Sequence, residues 1–272
     1  RWAVRAGDPV NAGQVQDGIV TPKFTAAFGP WRRTELYASA GGGFHSNDGR
    51  GATTRRDPVS GAPVASVDPL VRARGAEVGV RTLAIGGLHT TLAVYGLSLD
   101  SELLFVGDAG TTTASRPSRR VGIEWDADYR ATTWLALDAS AAWSRARFTD
   151  GDPAGSRVPG AIEGVAGAGV TVTPRGPWSG SLRWRYFGPR ALVEDDSVRS
   201  QPSHLVTAQV ARQISRTWRV QADLINLLNS RSADIEYFYT SRLPGEPADG
   251  VDDRHRHPVE PFSARVALIT RC

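Results

Sequence analysis

Between Arg120 and Trp143 apolar and polar residues alternate with a period of two. The odd positions read Val121, Ile123, Trp125, Ala127 and Tyr129, and the even ones between them read Gly122, Glu124, Asp126 and Asp128. After the turn-like Arg130-Ala131-Thr132, one face holds Leu135, Leu137, Ala139, Ala141 and Trp143, the other Asp138, Ser140 and Ala142. Successive side chains of a strand point to opposite sides, so this is a pair of strands with one apolar and one polar face. Aromatic residues stand near the strand ends (Trp125 and Tyr129, then Trp134 and Trp143), with small or aliphatic residues between. A soluble sandwich would bury the apolar face against a second sheet. A transmembrane barrel turns it to lipid, with aromatic girdles at both interfaces and a polar interior.

The grammar recurs. Trp178, Gly180, Leu182, Trp184 and Tyr186 alternate with Ser179, Ser181, Arg183 and Arg185. Trp218 to Leu224, Phe262 to Ile269 and Glu35 to Ala40 do the same. Only in Leu88 to Leu104 do the apolar positions change parity, which predicts a bulge there. Short connections near residues 29–32, 85–87, 130–132, 174–177 and 215–217 alternate with long ones at about 5–17, 45–71, 107–118, 149–160, 188–203 and 227–260. Short turns at one end and long loops at the other are a barrel's habit. The count predicts about eleven full strands, plus the end of one more at Arg1 to Arg5.

Composition agrees. No run of roughly 18 apolar residues exists, so no helix spans a membrane, and a barrel needs none. The net charge of +4 is carried by arginine, with Lys23 the one lysine. These arginines alternate with acids on polar strand faces or sit in loops, the pattern of a solvated lumen wall and not of a nucleic-acid surface. The one cysteine, Cys272, excludes an intrachain disulfide. The chain begins Arg1-Trp2 without methionine or leader and reads as a fragment. An open sheet in lipid leaves two edges of unsatisfied backbone groups, so the piece is not expected to insert stably alone.

Several words carry a family resemblance. Thr34-Glu35-Leu36-Tyr37 with Gly43 to Gly51 resembles a strand and loop of TonB-dependent outer-membrane receptors. Gly75 to Arg81 resembles the Glu-x-Gly-x-Arg strand that follows, and Leu99 to Gly110 with Ser115 to Arg120 is similar to a subgroup. Asp223-Leu224-Ile225-Asn226-Leu227-Leu228-Asn229 stands where the family carries a late Asn-Leu word, and Asp234 to Leu243 and His255 to Pro261 follow. The ordered set covers the chain from about residue 20 to its end. The resemblance implies an all-β fold: an antiparallel transmembrane β-barrel segment of about 11–12 strands from a 22-stranded barrel. Residues 1–272 would be the carboxyl-terminal half, without the plug domain and the first half of the barrel. It implies TonB-energised uptake of a scarce ligand such as an iron-siderophore across the outer membrane of a Gram-negative bacterium. The partners would be outer-membrane lipid, TonB through the missing plug, and a small ligand, possibly a metal chelate. The family usually ends in an aromatic residue, whereas this chain ends Thr270-Arg271-Cys272, and Phe262 stands where the subgroup often has arginine.

Candidate ligand-binding residues fall into two groups. His45, Asn47, Asp48 and Arg50 open the first long loop, where they either meet a ligand or hold a loop junction by Asx-type turns. Tyr237, Tyr239 and Arg242 form an aromatic and guanidinium patch, and His255 and His257 follow Asp252 and Asp253. The patch serves equally as a membrane girdle. The histidines and acids do not complete a tetrahedral metal site. No cofactor is expected and no nucleic-acid partner. Hydrolase, metalloprotease and phosphate-loop motifs are absent, so no enzyme is expected. Two rival readings are a passive porin-type channel, which needs no plug, and a soluble β-sheet carbohydrate-binding protein or enzyme. The soluble reading predicts that the faces of Trp125, Trp184 and Trp218 are buried.

Overall fold

The computed structural model describes residues 1–47, 49–57, 61–101, 103–106, 111–114 and 116–270. Its strands in chain order are β1 (Trp2–Val4), β2 (Gly13–Val15), β3 (Lys23–Trp31), β4 (Thr34–Ser46), β5 (Leu70–Thr82) and β6 (Leu88–Leu99). Next come β7 (Leu103–Val106), β8 (Thr111–Ala114), β9 (Ser118–Arg130), β10 (Leu135–Phe148), β11 (Gly164–Arg175) and β12 (Trp178–Phe187). The last are β13 (Ser203–Gln213), β14 (Trp218–Ile225), β15 (Ala233–Ser241), β16 (Val251–Pro258) and β17 (Ser263–Thr270). Among the described residues there is a short α-helix, α1 (Gly49–Thr53), and a single 3-10 turn at Pro9–Asn11.

Eleven of these strands form a single antiparallel meander, β3-β4-β5-β6-β9-β10-β11-β12-β13-β14-β17. The pairs β7-β8 and β15-β16 are hairpins set into its long connections. Among the described residues the edges β3 and β17 are not paired with each other, so the sheet is open. The segment Trp2–Val4 is not a twelfth strand of it. It pairs with Gly13–Val15 in a small sheet of its own.

Register propagates one face across all eleven strands. Leu92 lies opposite Trp125, and Trp125 opposite Ala141. Ala166 meets Tyr186 and Leu182 meets Ala208, and further along Leu224 meets Ala264. Each pair points to the same side, so the outer face reads Phe24, Phe28, Leu36, Val78, Val94, Ile123, Trp143, Val170, Leu182, Val210, Trp218 and Val266. All twelve are solvent-exposed here, Trp218 at 44%; on the same face Trp125 is 40% exposed and Trp184 half-buried, and among the described residues no second sheet covers them. The soluble-sandwich reading fails on this point. Burial of such side chains is worth about 25 cal/mol per Å², so a surface this apolar requires an apolar surrounding.

The predicted bulge in Leu88 to Leu104 is absent from β6, which keeps unbroken register with both neighbours. Its parity change has another cause: Leu88, Leu92 and Val94 face out, while Tyr95, Leu97 and Leu99 face in. Register shifts occur instead between Phe28 and Trp31, Val172 and Arg175, and Ala233 and Ile235.

The connections sort by end. Residues 32–33, 83–87, 131–134, 176–177 and 214–217 close one end, and 47–69, 100–117, 149–163, 188–202 and 226–262 the other. Arg32 and Arg33 both have positive φ (50° and 64°), the backbone of a tight two-residue hairpin turn. Among the described residues no helix is long and apolar enough to cross a membrane.

Candidate ligand-facing surface

The inner face is mainly polar, with an apolar stretch at Leu97 and Leu99 of β6. Arg81 Nε donates to Glu35 Oε1 at 2.8 Å, and Arg183 pairs with Asp138 at 3.1 Å. Gln209 and Gln221 donate to Asp223 at 2.7 and 3.0 Å. Gly41, Gly43 and Gly75 hollow this wall into a concavity of about 430 Å³ with Lys23, Glu77 and Tyr95 around it.

The long-loop end is built, not merely solvated. Phe148 and Val158 are both 4% exposed and form a small core with Ala146. Arg116 lies over the Phe148 ring at 4.4 Å. Its Nε and Nη2 grip Asp150 at 2.7 and 2.6 Å, while Nη1 reaches Glu194 at 2.6 Å. That bidentate grip holds the Asp150 carboxyl below its ordinary range. Arg157 bridges Glu163 and Asp196 at 2.5 and 2.7 Å, and Arg199 meets the same two acids at 2.7 and 2.5 Å. At Gly155 (φ 124°) a side chain would collide with the Glu194 backbone, so the two loops meet main chain to main chain. In the sequence Glu194-Asp195-Asp196, Asp195 accepts both the N–H and the hydroxyl of Ser197 at 3.0 and 2.7 Å, which depresses its pKa. Sequence reasoning missed this network because its members are up to 78 residues apart.

The β15–β16 hairpin stands on that platform. Glu236, 3% exposed, accepts the Gln201 backbone N–H at 3.2 Å. At its base Asn226 (φ 49°) donates to the carbonyls of Ser230 and Glu260, both at 3.0 Å, and accepts the Ser230 N–H at 2.8 Å. Register places Tyr237 opposite His255 and Ile235 opposite His257, with Tyr239 opposite Asp253, so these six share one face. Tyr239 and His255 stack at 3.8 Å with an interplanar angle of 11°. His255 Nε2 lies 3.3 Å from the Tyr239 carbonyl, to which it donates as the Nε2–H tautomer. His257 Nδ1 lies 2.8 Å from Asp234 Oδ1, and this contact lowers the Asp234 pKa. Arg242 is turned to the tip of the hairpin, where Nε donates to the Glu246 carbonyl at 3.3 Å. The structure thus brings Tyr237, Tyr239, His255 and His257 together.

The first predicted group lies near the other edge of the sheet. His45 is the penultimate residue of β4, on its inner side and opposite Val71. Asn47 is buried and donates through Nδ2 to the Asp68 carbonyl at 2.6 Å, a clasp across the loop and not an Asx-type turn. Arg50 lies exposed in α1. Asp48 lies outside the described residues. The amino-terminal segment is fastened to this loop through buried Asn11, which accepts the N–H groups of Arg55 and Arg56 at 2.9 and 3.0 Å. Among the described residues no cluster of three or more His, Cys, Asp or Glu side chains could hold a metal.

The family model described as TonB dependent receptor-like, beta-barrel matches residues 2–227. The chain belongs to that family. TonB-dependent receptor β-barrels are found in the bacterial outer membrane. Solved structures share the fold. They include the ferric-catecholate import receptor Fiu from Escherichia coli K12 in its closed form (TM-score 0.66, 17% identity, covering 90% of this chain and 34% of that one). The ferric yersiniabactin uptake receptor FyuA from Yersinia pestis gives 0.67, 16%, 92% and 37%. The copper transporter OprC gives 0.60, 19%, 88% and 37%. The chain therefore spans little more than a third of the length of these barrel proteins. No curated protein matches it.

Proposed function

We propose that this chain is one part of the barrel of a TonB-dependent outer-membrane receptor for a scarce small ligand, and that its long-loop end makes the first capture. The exposed apolar face carries this reading, since eleven strands in one register gather most of their large apolar side chains on one side. The polar face becomes lumen wall. The plug and the rest of the barrel lie outside residues 1–272, and energy reaches the receptor through TonB contact with that plug. Family membership favours this over a passive porin. The Tyr237, Tyr239, His255 and His257 face is the foremost ligand contact, because stacked rings and imidazole donors suit a planar or chelating ligand at little entropic cost. His45 and Arg50 are secondary contacts. Ferric siderophores, the cargo in the names of Fiu and FyuA, lead as the ligand class, ahead of the copper of OprC.

The test is binding by the intact receptor of a panel of ferric catecholate, ferric phenolate and free cupric ion. One probe should bind tightly, and Tyr239→Ala and His255→Ala should each weaken it about tenfold, equivalent to about 1.4 kcal/mol. Unchanged affinity in both folded variants would refute the hairpin site. Binding of none of the probes would refute the ligand class.

A further inference from the structure

Not all arginines obey the lumen-wall expectation. Arg74, Arg119, Arg145 and Arg147 sit at positions of β5, β9 and β10 that share the outer, apolar face. Register puts Arg74 opposite Ser98, Ser98 opposite Arg119, and Arg119 opposite Arg147, one continuous row across four strands. Arg145 lies one step below, opposite Val121. Below that step the same face turns apolar at Val78, Val94, Ile123 and Trp143, and the row stands on the long-loop side of the band.

Like charges directly opposite one another in a sheet repel, and neighbouring strands are only about 4.8 Å apart. Arg119 and Arg147 are such a pair. No carboxylate occupies the outer face of β5, β6, β9 or β10 to relieve them. Arg74, Arg119 and Arg145 are exposed, and their side chains make no hydrogen bond or ion pair with a described residue. Arg147 spends Nη1 on Ser156 Oγ at 3.0 Å. The acids nearest to it, Glu163 and Asp196, are already shared between Arg157 and Arg199. Among the described residues the row's positive charge is therefore uncompensated, and it stands at the rim of an apolar band, which is the depth of lipid head groups.

We propose that Arg74, Arg119, Arg145 and Arg147 form a binding site for the phosphate of an anionic lipid head group, whose acyl chains lie along the band beneath. Guanidinium forks match phosphate oxygens two by two, and one phosphate between Arg119 and Arg147 converts their repulsion into shared attraction. This rests on the lipid-facing reading of the outer face, which the experiment tests separately.

The intact receptor, purified in neutral detergent, is titrated with diphosphorylated lipid A, with phosphatidylcholine and with inorganic phosphate. Arg119→Gln/Arg147→Gln is compared with wild type and with Arg216→Gln, an exposed change at the short-turn end. The expected result is at least a tenfold weaker grip on lipid A in the double variant only, lessened in wild type by high salt. Equal retention by all three proteins overturns the site. Competition by millimolar inorganic phosphate also overturns it, because the row would then be a general anion site. Quenching of tryptophan by brominated lipid in vesicles reads insertion independently. If quenching is lost in every form, the lipid-facing reading itself has failed.

Discussion

Tyr37 stands directly across the sheet from Gly79, and its ring occupies the space a Cβ at residue 79 would need. Tyr95 covers Gly122, also its register partner, in the same way, with a ring carbon 2.6 Å from where that Cβ would lie. Both pairs lie on the inner face. A bare glycine backbone in a strand costs stability, and an aromatic ring laid over it restores packing. The glycines of this wall are therefore seats for rings as well as a way to hollow the lumen.

Gly79→Val should evict the Tyr37 ring and cost about 1–3 kcal/mol, the usual range for overpacking. Thermal unfolding of the intact receptor in detergent measures it, and Gly79→Val/Tyr37→Ala should recover part of the loss. Equal destabilisation by single and double variants would contradict the ring-on-glycine pairing.

Asn226→Ala removes three hydrogen bonds at the root of the β15–β16 connection and puts a Cβ-bearing residue without a side-chain clasp at positive φ. A loss of about 1–3 kcal/mol is expected. Limited proteolysis should show cleavage between residues 229 and 262 rising first, before any cut in the sheet. This geometry explains the late Asn-Leu word: Gly, Asn and Asp adopt that backbone more readily than other residues, and the Asn amide also donates to both flanking carbonyls.

Acid should loosen the platform beneath the hairpin. Asp150 titrates below its ordinary value of 3.8 because Arg116 hydrogen-bonds its charged form. Its contribution is complete above that value and fades as pH falls through the lower, folded-state pKa. Amide exchange in residues 149–163 should therefore accelerate below about pH 4, and Arg116→Gln should abolish that pH dependence. Exchange that is insensitive to pH, once corrected for its intrinsic rate, would contradict the assignment.

Most of the sheet was legible from alternation alone, because one buried or lipid-facing side forces a strict two-residue period. Val121 to Tyr129 and Leu135 to Trp143 keep that period without a break. Three things were not legible. Leu97 and Leu99 turn inward, so hydrophobicity misled on face where the wall itself is apolar. Arg119 and Arg147 turn outward, since alternation in charge looks the same above a membrane as inside a lumen. The Arg116, Asp150 and Glu194 cluster joins residues far apart in sequence, and no local pattern announces it. Within the candidate site, His255 and Tyr239 could be named from residue type, but their stacking needed the hairpin register.

The central claim is that one face of this sheet meets lipid and the other does not. Nitroxide labels placed singly along residues 121–129 of the intact receptor in bilayers, in a Cys272→Ser background, test it by collision with oxygen and with a water-soluble nickel chelate. The account predicts oxygen maxima at 121, 123, 125, 127 and 129, with low oxygen access at the even positions between. A flat profile, or oxygen maxima at the even positions, would contradict it.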